Sequence, residues 1–114
     1  MIFEHLDAFE KDLKKLLKQY RTLEEDLKVI KKVLGAEPKA RPPFSYRIDG
    51  LGIHCCVIKV RKIACKALKG RGVNSGLRLI YAHFEEENRI VMIELYHKSD
   101  KALEDRQRIL NHFK

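Results

Sequence analysis

The chain has 114 residues, 45% of them hydrophobic, which suits one domain with its own core. No apolar run approaches the roughly 18 residues of a membrane span, and Met1 to Leu6 does not read as a signal peptide. The net charge is +8 and unevenly placed: residues 50–84 carry Lys59, Arg61, Lys62, Lys66, Lys69, Arg71 and Arg78 and no acidic residue.

Met1 to Leu6 is short and apolar enough for an edge strand. Asp7 and Glu10 have capping-box spacing. Phe9, Leu13, Leu16, Leu17 and Tyr20 then recur at helical spacing, which predicts a helix over roughly 8–20. Thr22 and Glu25 repeat the capping signal. Leu23, Leu27, Ile30, Val33 and Leu34 form a second stripe, which Gly35 ends. About two residues join the helices, so an antiparallel pair is expected.

Residues 36–56 read as loop, broken by Pro38, Pro42, Pro43, Gly50 and Gly52, with a short extended piece at Tyr46 to Ile48. From Val57 the period changes to two. Val57 to Lys66 is a predicted strand with Lys59 and Arg61 on one face and Ile58 and Val60 on the other, and the Arg61–Lys62 pair marks a bulge. A glycine-broken loop carries Lys66, Lys69 and Arg71. Leu77 to Glu85 and Arg89 to Lys98 are the next strands, joined by a turn at 86–88. Ile90 to Ile93 is apolar on both faces, which points to a central position. Asp100 is the expected cap of a last helix with Leu103, Ile109, Leu110 and Phe113 as its stripe. The whole of 1–114 reads as a single α+β domain in which the last three strands form an antiparallel meander.

A one-sign stretch such as 50–84 attracts polyanions, of which nucleic acid is the commonest and an acidic protein segment the alternative. Cys55, Cys56 and Cys65 do not make a disulfide framework, and with His54 they match no zinc spacing. Reduced buried thiols, no metal, no cofactor and a cytoplasmic location are expected.

Three pieces, "CVIKVRKIACKALKG", "SGLRLIYAHFEEENRIVMIELYHKSDK" and "ALEDRQRI", taken in this order and spacing, resemble the RelE/ParE superfamily of toxins from two-gene toxin–antitoxin systems. Gly76 to Tyr81 resembles the family's middle strand, and the match is weakest at 36–56. The resemblance implies a RelE-like fold: an N-terminal helical hairpin packed on a twisted antiparallel sheet of about four strands, a C-terminal helix, and the helices on one side of the sheet. It implies an endoribonuclease that cuts messenger RNA on the ribosome, held inactive by a cognate antitoxin. The alternatives are a ParE-like poison of DNA gyrase that acts by protein–protein contact, and a non-toxic basic nucleic-acid-binding module.

A ribonuclease of this kind, working without a metal, lets the ribose 2′-OH attack phosphorus. It must deprotonate that hydroxyl, stabilise charge on the phosphoryl oxygens and protonate the leaving 5′-oxygen. Arg78 falls on the family's strand arginine, and its fork can hold two phosphate oxygens; its plainer role is to pair with Glu94. Lys98 and Lys59 fall where the resemblance implies basic residues near the substrate. His97 titrates near neutral pH and is the candidate acid or base, although regular strand parity points it away from Lys98. Arg61, Lys66, Lys69 and Arg71 are candidate RNA contacts. Tyr96 is a candidate for base stacking or for the core. The tyrosine that some RelE members carry in the last helix is missing, and Glu104 stands near its place.

Overall fold

The computed structural model describes residues 1–114. The elements are β1 (Ile2–His5), α1 (Asp7–Leu17), α2 (Leu23–Ala36), β2 (Ser45–Arg47), β3 (Cys56–Val60), β4 (Leu77–Phe84), β5 (Arg89–His97) and α3 (Arg106–Phe113). They build an α+β domain around one five-stranded sheet of order β1-β5-β4-β3-β2.

The expected meander is present. β3, β4 and β5 pair antiparallel in succession, with Lys59 opposite Ile80 and Arg78 opposite Tyr96. Two strands flank this meander, which makes five in all, one more than expected. β2, the extended piece at Tyr46, pairs antiparallel with β3 and sets Tyr46 opposite Lys59. β1 pairs parallel with β5, so the sheet is mixed rather than wholly antiparallel. Arg89 ties this edge by donating to Glu4 at 2.9 Å.

Both faces of the sheet are covered, which explains the apolar run of β5. On one face Ile58, Val60, Leu79, Tyr81, Met92 and Leu95 pack under Phe9, Leu16, Leu23, Leu27, Ile30 and Leu34 of α1 and α2. On the other face Val57, Ile80, Ala82, Val91, Ile93 and Tyr96 pack against Ile109 of α3, with Leu51 and Ile53 alongside. The helices therefore lie on both sides of the sheet, not on one as the resemblance implied.

The pairing of β4 and β5 shifts between Ile80–Glu94 and Tyr81–Met92, which leaves Ile93 as an extra residue in β5. Such a bulge inverts the alternation of every residue beyond it. Its carbonyl is not orphaned: Arg108 of α3 donates to the Ile93 oxygen at 3.0 Å and to Asp12 of α1 at 2.6 Å. Asp12 in turn accepts the Leu95 N–H at 3.1 Å. This clasp couples α1, β5 and α3.

Three cap assignments change. Leu6, not Asp7, precedes α1, and no side chain caps it. Thr22 precedes α2 but turns its hydroxyl outward, donating to Asp26 at 2.8 Å and accepting the Ala67 N–H at 2.9 Å. The last helix starts at Arg106, and Asp105 rather than Asp100 caps it by accepting the Arg108 N–H at 3.0 Å. Residues 18–22 join α1 to α2, a longer link than expected, and the Gln19 and Tyr20 N–H groups both donate to the Leu16 carbonyl, at 3.0 and 2.8 Å. No helix is long and apolar enough to cross a membrane.

Candidate functional site

β3 ends where the Arg61 and Lys62 N–H groups both donate to the Phe44 carbonyl, at 3.0 and 3.4 Å. Two residues there face one, so alternation fails and both side chains turn toward the same rim. β4 begins beside it at Gly76 and Leu77, and β5 ends beside β4. The Lys98 N–H donates to the Gly76 carbonyl at 2.8 Å, which holds the strand ends together.

The result is a hollow of about 280 Å3 lined by Pro43, Tyr46, Arg61, Lys62, Asn74, Gly76, Arg78 and Lys98. Four of these eight side chains are cations and none is a carboxylate. Arg78 is half-buried and donates to the Arg61 and Leu77 carbonyls, each at 3.2 Å. Burial and the Arg61 guanidinium hold Arg78 below the usual arginine range, while Tyr96 acts the other way. It stays charged at neutral pH. Lys62 donates to Asn74 at 3.0 Å, which fixes the loop side of the rim. Like charges at this spacing repel one another, and an anion seated among them relieves the repulsion.

Arg78, Arg61 and Lys98, proposed from the sequence, thus meet in one place. The others do not. Arg78 does not pair with Glu94: that carboxylate is buried, takes the Lys101 ammonium and accepts the Asp105 N–H at 2.8 Å. Lys59 shares the strand face of Arg78 but pairs with Glu104 at 3.2 Å, and its side chain is only 16% exposed. Burial pushes the Glu104 carboxyl up, but its own backbone N–H, Lys59 and Arg106 outweigh burial and hold it below the usual carboxylate range. Tyr96 is 4% exposed, shut beneath α3 between Lys59 and Lys101, so it is not free to stack on a base.

His97 lies on the opposite face of the sheet. Its Nδ1 accepts the Ser99 N–H at 3.0 Å, its Nε2 faces the Ser75 carbonyl at 2.9 Å, and its ring stacks on Tyr20 with centroids 5.7 Å apart. In this pattern Nδ1 is the acceptor and Nε2 the nitrogen turned to a carbonyl. Lys66 reaches Glu25 at 3.8 Å beside α2, while Lys69 and Arg71 are exposed on the loop outside the hollow.

Among the lining residues not proposed from the sequence are Tyr46, Lys62 and Asn74. Lys62 was expected only as the second residue of a bulge with Arg61, and the break in alternation at that pair is what turns it onto the same rim. Tyr46 and Asn74 sit in loop-like segments, where no period predicts direction.

No protein-family model matches the chain, and no curated protein does. Solved structures that share its fold include two toxins. One is a copper-bound mutant toxin from Helicobacter pylori, 15% identical, with a TM-score of 0.55 over 88% of this chain and 97% of that one. The other is a metal-bound toxin from the same organism, 23% identical, with a TM-score of 0.53 over 88% of this chain and 97% of that one. At these identities the likeness carries the fold alone.

Proposed function

We propose that this chain is a RelE-like toxin of a toxin–antitoxin pair and that it acts on messenger RNA, on the ribosome, to stop translation. The observation that carries this reading is the convergence of Arg61, Lys62, Arg78 and Lys98 on one hollow without an acidic residue. The fold shared with two bacterial proteins called toxins supports it.

In this reading a phosphodiester sits on the Arg78 fork, with Arg61 and Lys62 on the flanking phosphates. The ribose 2′-oxygen bonds to phosphorus as the bond to the 5′-oxygen breaks. A proton leaves the 2′-OH to water, and water returns one to the 5′-oxygen. Arg78 and Lys98 stabilise the charge that builds on the phosphoryl and leaving oxygens, an effect that contributes several kcal/mol in a preorganised site. His97 takes no part; it is a positioning residue for the turn that carries Lys98. The cognate antitoxin, in the same reading, neutralises the toxin by laying an acidic segment over the four cations.

A second reading has a specific observation in its favour. No side chain that titrates near neutral pH lines the hollow, which suits a ParE-like gyrase poison better than a nuclease with its own acid and base. Pulse labelling after induction separates the two. An early fall in protein synthesis is expected, and an early fall in DNA synthesis instead would replace the nuclease with the gyrase poison. Arg78→Ala is expected to lower toxicity and RNA affinity together, by about 10–150-fold for the loss of a charged hydrogen bond of ~1.5–3 kcal/mol, with the fold intact by circular dichroism. A fully toxic, folded Arg78→Ala variant removes Arg78 from the site.

A further inference from the structure

Tyr46 lines the hollow but has no part in holding phosphate. Tyr46 is 37% exposed, one of few large apolar side chains the protein leaves open. Its backbone register, opposite Lys59, puts it on the sheet face of Arg78. The Arg61 guanidinium lies over its ring, 5.6 Å from the centroid. β2 is the outer strand of the sheet, so no further strand covers this side. The other aromatic residue on this face near the cations, Tyr96, is closed off under α3. A rigid, accessible ring, steadied by a cation and set on the rim of a cationic hollow, has the two components of single-strand recognition: charge for the backbone and a flat apolar surface for a base.

We propose that Tyr46, held by Arg61, is a nucleobase platform, and that the hollow therefore takes single-stranded nucleic acid with an unpaired base beside the bound phosphate. This rests on reading the hollow as a phosphodiester site. Tyr46 contributes through its ring face rather than its hydroxyl. A base-paired strand keeps its bases stacked on one another and cannot offer one to the ring. The platform belongs to β2, in the segment where the sequence least resembles the toxin superfamily.

Fluorescence anisotropy with two labelled probes tests the proposal: a short single-stranded RNA, and the same ribose-phosphate backbone with abasic residues throughout. The wild-type protein is expected to prefer the base-bearing strand by about 5–150-fold, the range for a single base–aromatic stack. Tyr46→Leu is expected to lose that preference while binding the abasic backbone as before and with the same salt dependence. Tyr46→Phe is expected to keep it. A Tyr46→Leu variant that retains the preference, or that weakens both probes equally, overturns the platform and leaves the phosphodiester reading standing. A wild-type protein that binds neither probe overturns both.

Discussion

Lys59 and Arg61 stand two residues apart on one strand face, yet only Lys59 has an acidic partner. The difference is Glu104, whose side chain is 5% exposed and needs the Lys59 ammonium and Arg106 to remain ionised there. Lys59 is thus committed to the fold, and Arg61 is left for a ligand. Glu104 is ionised more readily in the folded protein than in the unfolded chain. Its contribution is therefore full above the ordinary carboxylate range and lost as pH falls through its depressed value. Lys59→Met is expected to cost about 1–3 kcal/mol at neutral pH by stranding a buried acceptor. The gap to wild type should close toward low pH, where Glu104 is protonated in both. Denaturant titrations across pH check this, and a pH-independent gap would show that Lys59 acts through packing alone.

At the scale of elements, the strand end at Gly76 sets the geometry of the hollow. Gly76 has φ +88°, and a Cβ there would lie 2.6 Å from His97 Nε2 and 3.3 Å from Lys98 Cε. Gly76→Ala meets both a left-handed backbone and a ring already fixed at two nitrogens, and is expected to destabilise the fold by about 1–3 kcal/mol. Thermal or denaturant unfolding measures it; an unchanged midpoint would mean that the His97 latch yields freely. The strands themselves were readable, because two-sided burial makes β4 and β5 near-continuous apolar runs and β3 sets Lys59 at period two from Arg61. The start of α3 was not. Asp100 and Asp105 carry the same local capping chemistry. What separates them is Glu94, which takes both Lys101 and the Asp105 N–H and keeps the intervening chain out of helix. Likewise, the parallel pairing of β1 with β5 joins residues at opposite ends of the sequence, and no local pattern encodes its direction.

Across the whole molecule, the charge asymmetry of 50–84 was plain in the sequence, but its division was not. Folding spends Lys59 on Glu104, ties Lys66 to Glu25, and gathers Arg61, Lys62 and Arg78 with Lys98 from outside the segment. If all four cations neutralise phosphates, log K for single-stranded RNA should fall with log salt at a slope of about −3, and each single Arg or Lys→Ala change should reduce that slope by about 0.7. Affinity measured from low to physiological salt reads the slope directly. A slope near zero would rule out a phosphate-binding role for the hollow. The membership of Lys98 in this set depends on one residue far from the rim. Were the bulge ironed out, with Ile93 kept and paired opposite Ile80 in place of Glu94, regular alternation would carry on past Met92. Lys98 would swing beneath the helical hairpin, and His97 would take its place among the arginines. Glu94 and Tyr96 would be turned over at the same time, so the exchange would need their replacement. Gain or loss of one strand bulge is thus a route by which a scaffold of this kind can trade a lysine-lined phosphate site for a histidine-lined one without touching either residue.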